Sequence, residues 1–289
     1  MRGRAMLAAL GLAIALAVAT ALAVAPERIE NGLNTIEPLL LPEPSERARE
    51  LHARLAIIDL HDDLLLWGRD PLVRSSRGHT DIPRLAEADV AIQVLGAVTK
   101  TPSGQNFERN SADAFDMLTA LVVLQRWPPA TWTSLRERAL YIGRRFQALA
   151  PRSMGRVLLV KNAGDVDAAV YHRRRGARKV GVLLSAEGMH PLEGRLETLE
   201  ELWEHGYRML GPAHFFDNEV GGSAHGEEKG GDEHHRDERG DGALAATAQP
   251  DRDDEQRHAR DQLVRRAEQR PQREPALAAA GRHGEQQRR

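Results

Sequence analysis

Residues 57–63 read Ile-Ile-Asp-Leu-His-Asp-Asp and decide how the rest of the chain is interpreted. Four apolar residues at 55–58 lead into one histidine and three carboxylates, a pattern typical of a buried strand that ends in a polar site. Because side chains alternate along a strand, His61 and Asp63 are expected on the same side. A neutral imidazole beside a carboxylate can hold a divalent metal such as zinc. A solvated loop is the alternative, since a bare His-x-Asp often occurs by chance.

The composition limits the chemistry that such a site can use. The chain has 289 residues, enough for one large domain or two ordinary ones, and its formal net charge of −2 does not indicate a nucleic acid or another polyanion as partner. There is no cysteine, which excludes disulfides, thiolate zinc sites and a cysteine nucleophile. Any metal must therefore be held by histidine, aspartate and glutamate.

The N-terminus has the charge pattern of an export segment. Arg2 and Arg4 precede residues 5–25, which carry no charge and are numerous enough to span a bilayer. Pro26 follows a small-residue cleavage site at Ala25 and should hinder cutting there. We therefore favour an N-terminal membrane anchor over a cleaved signal peptide. In both cases the rest of the chain is expected to be exported, either held at the membrane or free in the periplasm or outside the cell.

The chain beyond residue 25 alternates between strand-like and helix-like runs. A proline-containing linker at 26–44 leads to a helix that begins near Ser45 and is expected to bury Ala48, Leu51 and Leu55. Strand-like apolar runs follow at 55–58, 90–95, 157–160, 180–187 and 208–211. Helical spacing of apolar residues lies between them, at 111–126, 134–150, 165–171 and 196–203. This alternation predicts an α/β domain with a parallel sheet.

Polar side chains follow the strand-like runs. His61, Asp63, Glu187 and His214 each come just after one of them. Barrels of the α/β type place their chemistry at the C-terminal ends of the strands, so these four side chains are candidates for one site. For Glu187 the alternative is a carboxylate that caps the next helix, and for His214 it is a structural histidine that packs on Phe215.

Other residues that could bind a ligand are predicted to have structural roles. His190 is interpreted as a structural or supporting residue rather than a metal ligand. His79 and Asp81 are expected to cap and brace a loop. Trp127 and Trp132 are expected in the core, with no cofactor implied.

The C-terminal part at 232–289 departs from this pattern. It contains no aromatic residue, isoleucine, methionine, asparagine or lysine, and it has no strand-like run. Such a segment cannot bury enough apolar surface to fold. One interpretation is a natural disordered tail. The other is an out-of-frame stretch of GC-rich sequence, which arginine without lysine favours.

Four blocks of sequence, taken together, carry a resemblance to a known family. They are Asp-Leu-His-Asp-Asp at 59–63, Gly-His-Thr-Asp-Ile-Pro-Arg-Leu at 78–85, Glu-Gly-Met-His at 187–190, and the stretch from Gly-Tyr-Arg-Met-Leu-Gly-Pro-Ala-His through to Gly-Gly-Ser-Ala-His-Gly at 206–226. Over about residues 45–231 the chain resembles the bacterial branch of the membrane (renal-type) dipeptidases. These are zinc peptidases with an amidohydrolase-like barrel. The resemblance implies a TIM-type (β/α)8 barrel, of which only the first half, up to five strands, is recognisable here.

The resemblance also implies roles for the candidate residues. The family uses two zinc ions, and its His-x-Asp pair matches His61 and Asp63 as ligands of the first metal. Glu187 matches the glutamate that bridges the two metals. His214 matches a histidine that binds the substrate and helps to stabilise the tetrahedral intermediate. The match ends at Gly231, before the family's remaining metal ligands, so no residue is assigned to the second zinc.

The implied function is zinc-dependent hydrolysis of dipeptides through a metal-activated water. Two alternatives stay open. The chain could be a catalytically inactive, truncated or frameshifted fragment of a dipeptidase, or a related metal-dependent hydrolase that acts on a non-peptide amide or a lactone. The sequence fixes neither the dipeptide preference nor the oligomeric state, and a homodimer is compatible with it.

Overall fold

The computed structural model describes residues 2–37 and 41–227. The tail predicted at 232–289 lies outside these residues. The helices are α1 (Arg2–Leu33), α2 (Glu46–Arg54), α3 (Ile82–Glu87), α4 (Met117–Leu124), α5 (Leu135–Gln147), α6 (Leu149–Arg152), α7 (Ala163–Arg174) and α8 (Glu197–Glu204). The strands are β1 (Ile57–Asp62), β2 (Val90–Ala97), β3 (Val157–Leu159), β4 (Val180–Ala186) and β5 (Tyr207–Leu210).

The five strands form one parallel sheet, which confirms the predicted α/β class and the five recognisable strands. The order β1-β2-β4-β3 places β2 and β4 at the centre. β2 pairs with β4 along one edge. The opposite edge of β4 is shared, because β3 pairs with residues 180–182 and β5 pairs with residues 184–186. All five strands therefore point their C-terminal ends in one direction, as the sequence pattern requires for a shared site.

The core forms on both sides of the central strands. Val180, Val182 and Leu184 of β4 are fully buried and belong to the larger apolar cluster, together with Phe146 of α5. A smaller cluster on β2, the end of β3 and α7 contains Ala91, Ile92, Val160 and Ala169. Strands buried on both faces read as continuous apolar runs, as β2 and β4 do in the sequence.

Side-chain caps determine where several helices begin. Ser45 Oγ accepts a hydrogen bond from Ala48 N at the start of α2, as predicted. The expectation that α2 is buried is wrong: it contains no buried residue, and Leu51 is 53% exposed. Asp116 accepts from Leu118 N, so α4 begins at Met117 and the predicted helical stretch before it is a loop.

The two tryptophans differ in burial. Trp127 is buried in the larger apolar cluster, as expected. Trp132 is 37% exposed, so its prediction as a core residue is wrong. Its indole N–H donates to the carbonyl of Trp127 at 3.0 Å.

The N-terminal segment is helical beyond the expected boundary. α1 passes through Pro26 and ends at Leu33, so the first part of the predicted linker is helix. The membrane anchor predicted over residues 1–25 is not shown: within the described ranges, no helix is both long and apolar enough to cross a membrane.

Candidate metal centre

The candidate site lies at the C-terminal ends of three strands. His61 is in the last residues of β1 and Asp63 follows that strand directly. Glu187 is the first residue after β4. The strand register brings these ends together, because Asp62 of β1 pairs with Leu95 of β2, and Ala97 of β2 pairs with Ala186 of β4. His214 follows β5, which pairs with the same end of β4.

The side chains converge as the sequence predicted. His61 Nε2 lies 3.3 Å from Glu187 Oε1 and 3.8 Å from Asp63 Oδ2. One ligand atom from each of these three residues lies within 4.8 Å of the other two. His214 Nε2 lies 3.1 Å from Glu187 Oε2. The two carboxylate oxygens of Glu187 therefore face two different imidazoles, and the glutamate lies between them.

The two carboxylates at this site favour binding of a cation. Asp63 Oδ1 and Glu187 Oε1 are buried and have no hydrogen-bond partner in the described structure. Burial, followed by the nearby charge of Asp63, raises the pKa of Glu187 to about 8. Two carboxylates held this close disfavour each other's ionisation, whereas a divalent metal favours it. A set of one imidazole and two carboxylates is a ligand set that zinc accepts, so the residues fit the metal that the sequence implied.

His214 makes the packing contact with Phe215 that was considered for it, and its ring also faces Glu187. Burial lowers its pKa, so the imidazole is neutral at neutral pH. Its ring makes an edge contact with Phe215, with the ring centroids 4.8 Å apart. The backbone carbonyl of His214 accepts a hydrogen bond from Ser223 Oγ. The residue is thus fixed by packing and still presents Nε2 to Glu187.

Gly96 of β2 is part of the site and was missed in the sequence. A Cβ atom at this position would overlap Glu187 Oε1 and would lie 3.0 Å from His61 Cε1. Only glycine leaves room for both side chains above β2. The available signal was a glycine inside a strongly apolar strand, which often marks a close approach of another group.

The residues with predicted structural roles lie beside the site or away from it. The ring of His190 stacks on Phe216, with centroids 4.1 Å apart, and burial lowers its pKa to about 4. A Cβ at Gly188, where φ is +82°, would lie 2.5 Å from His190 Nε2, so the ring packs against this turn. Asp81 caps α3 by accepting from Arg84 N, and His79 lies in the exposed part of that loop.

Among the described residues, one group of three or more histidine, aspartate and glutamate side chains is close enough to hold a metal, and it is His61, Asp63 and Glu187. His225 lies outside it, stacked on Phe215. The later histidines lie outside the described residues, and no second group of metal ligands is found within residues 2–37 and 41–227.

Comparison with known families places the chain in one of them. Residues 45–240 match the model of the membrane dipeptidase family, peptidase family M19, over more than half of the chain. The chain belongs to this family. A comparison with curated proteins found no matching sequence.

Several solved structures are similar over part of their length. The probable dipeptidase PvdM from Pseudomonas aeruginosa is 15% identical, with 62% of this chain and 40% of that chain covered and a TM-score of 0.45. A metallopeptidase from Rhodobacter sphaeroides, solved with a phosphinate mimic of the dipeptide L-Ala-D-Ala, is 21% identical, with 55% and 45% covered and a TM-score of 0.39. The chain spans less than half the length of these two structures.

Proposed function

We propose that this chain carries the first metal site and the substrate histidine of a zinc-dependent dipeptidase, which hydrolyses a short peptide with water and without a covalent intermediate. The observation that supports this most directly is the convergence of His61, Asp63 and Glu187, with His214 on the far side of the glutamate. Membership of the membrane dipeptidase family supplies the substrate class.

Each residue has a distinct task in this proposal. His61 and Asp63 would hold zinc from the end of β1, and Glu187 would hold it from the end of β4. Glu187 would also be the residue to serve a second cation, since its other oxygen, Oε2, faces His214 rather than His61. When bound, zinc supplies Lewis acidity, which lowers the pKa of a water molecule and polarises a carbonyl group.

His214 is the residue proposed to contact the substrate. Its lowered pKa keeps the ring neutral, so one ring nitrogen can donate a hydrogen bond while the other accepts. A donor aimed at the carbonyl oxygen stabilises the negative charge that builds there as water adds to the carbon. The peptide C–N bond then breaks, and the leaving nitrogen takes the proton released by the attacking water, which leaves an amine and a carboxylate.

The direct test is an activity assay with defined controls. The chain without residues 1–25 would be incubated with zinc and a simple dipeptide, beside Glu187→Gln and His214→Ala. We expect the unaltered chain to bind zinc and both variants to lose measurable hydrolysis, with His214→Ala retaining its zinc. Zinc-independent hydrolysis, or equal activity in Glu187→Gln, would contradict the proposal.

The level of activity separates the proposal from the inactive-fragment alternative. Only one set of ligands lies in the described residues, and each metal interaction is worth several kcal/mol in the transition state. A version extended with further strands and metal ligands of the family's barrel should therefore be faster by many orders of magnitude, because a tenfold change needs only about 1.4 kcal/mol. Equal rates would mean that the tail supplies ligands that were not recognised.

Export is also part of the proposal. Its support is the pair of arginines followed by the uncharged residues 5–25. Expression in a bacterial host, followed by fractionation and mass determination of the N-terminus, tests it. We expect the chain outside the cytoplasm, either cut within this segment or intact. A wholly cytoplasmic chain would contradict export.

A further inference from the structure

A buried ion cluster joins α1 to the rest of the chain. Glu30 is only 4% exposed, and its Oε1 accepts a hydrogen bond from Arg69 Nη1 at 2.7 Å. Its other oxygen, Oε2, lies 3.3 Å from Arg77 Nε. Buried charges are costly unless they are paired, and removing one partner leaves the others uncompensated. The cluster therefore ties the end of α1 firmly to the loop that carries both arginines.

Backbone contacts strengthen the same junction. Gly78 N donates to the carbonyl oxygen of Asn34 at 2.7 Å, just after α1 ends. Gly78 has a φ of +73°, and a Cβ there would overlap the guanidinium of Arg69. Glycine is required both by this backbone conformation and by the close approach of the arginine. The glycine of the Gly-His-Thr-Asp block thus has a physical role at this junction.

The junction connects to the candidate metal centre through a short path. Arg69 Nη2 donates to the backbone carbonyl of Thr80 at 3.4 Å. The hydroxyl of Thr80 donates to Asp62 Oδ2 at 2.6 Å. Asp62 is the residue between His61 and Asp63, so this hydrogen bond holds the end of β1 that carries both metal ligands.

We propose that residues 30–34 are a brace of the metal centre and that Glu30 is its positioning residue. β1 pairs only with β2 among the described strands and its outer side chains are exposed, so the sheet alone holds it weakly. The brace supplies the missing restraint through Arg69, Thr80 and Asp62. Residues 30–34, which the sequence placed in a linker, then belong to the catalytic domain. For metal affinity this inference rests on the proposed metal centre, whereas its effect on β1 does not.

The first test needs no metal. Hydrogen–deuterium exchange would be compared between the full chain, Glu30→Gln and the control Glu27→Gln. Glu27 lies one turn earlier, its side chain is 65% exposed, and its Oε1 lies 3.4 Å from Arg77 Nη1. We expect amides at 57–63 and 68–81 to exchange about tenfold faster in Glu30→Gln, because local opening becomes easier, and to be unchanged in Glu27→Gln. Unchanged exchange at 57–63 in Glu30→Gln would overturn the brace.

The second test measures zinc affinity by competition with a chelator, in a double-mutant cycle of Glu30→Gln with Thr80→Val. We expect each single variant to bind zinc about tenfold more weakly, as is usual when a residue that supports the ligands is lost. If both act through one path, the double variant also loses about tenfold rather than about a hundredfold. Thr80→Ser, which keeps the hydroxyl, should restore affinity.

The outcomes of the two tests are separable. An additive, roughly hundredfold loss in the double variant would overturn the shared path from Glu30 through Thr80. If the unaltered chain binds no zinc, the proposed metal centre fails, and the exchange experiment still decides whether residues 30–34 hold β1.

Discussion

The two strands that carry the candidate ligands, β1 and β4, are held in very different ways. β4 is paired along both edges, and Val180, Val182 and Leu184 on it are fully buried. β1 pairs only with β2 among the described strands, its register is interrupted twice, and Leu60 is 66% exposed. The ligand side chains on the two strands differ in exposure in the same way. That of Glu187 is 14% exposed, and that of His61 is 54% exposed.

This difference shows that one metal site can combine a ligand from a rigid strand, β4, with ligands from a weakly held strand, β1. Packing in the core fixes Glu187. The end of β1 has little packing, so polar contacts from the loop before α3, above all that between Thr80 and Asp62, must hold it. Metal sites need their ligands placed closely, and the supporting contacts matter most where the core does not reach.

The largest expected effect is loss of the metal when the β1 ligands are removed. His61→Ala with Asp63→Ala should abolish bound zinc, as measured by elemental analysis, while thermal unfolding shows a retained fold because β1 contributes little to the core. A matched pair on α7, Asp167→Ala with His172→Ala, should keep the metal. Unchanged zinc in the first pair would rule out the assignment of both ligands.

The next effect contrasts the two strands in stability. Leu184→Ala should lower the free energy of unfolding by about 2–5 kcal/mol, because it leaves a cavity in the core. Leu60→Ala on β1 should change it by no more than about 0.5 kcal/mol, as is usual for exposed positions. Denaturant unfolding of both variants measures this. Similar losses would mean that β1 is as well packed as β4.

A smaller effect concerns the space above β2. Gly96→Ala should weaken zinc binding by about tenfold to a hundredfold, since the added methyl group displaces the carboxylate of Glu187. Gly211→Ala is the control, because the atoms nearest to its Cβ are at an ordinary 3.6 Å. Chelator competition would report both affinities. Equal affinity in the two variants would show that Glu187 has room to move.

A further effect is a pH dependence of the metal-free protein. The pKa of Glu187 is about 8 when folded and 4.5 as a free side chain, so the folded state binds the extra proton between these values. This stabilising contribution is complete below pH 4.5 and is lost as the pH rises through about 8. The unfolding free energy should therefore fall more between pH 5 and pH 8 in the unaltered chain than in Glu187→Gln. Parallel slopes would contradict the raised pKa.

The sequence by itself determined the order of elements and the chemistry of the site. Apolar runs broken by polar residues locate the strands and their ends, so the five strands were predicted, and His61, Asp63, Glu187 and His214 were proposed together. The strands could be predicted because strand periodicity is a local property. The four site residues could be proposed together because ligand type is also local, and the absence of cysteine left only imidazole and carboxylate ligands.

Only the tertiary structure decided which distant residues support that site. The role of Gly96 depends on Glu187 reaching over it from another strand, and that of Glu30 depends on two arginines about forty residues later in the chain. The exposure of Leu51 and Trp132 likewise depends on what packs against them. These are contacts between segments far apart in sequence, and local periodicity carries no information about them, because it reports which face of an element is apolar and not what lies against that face.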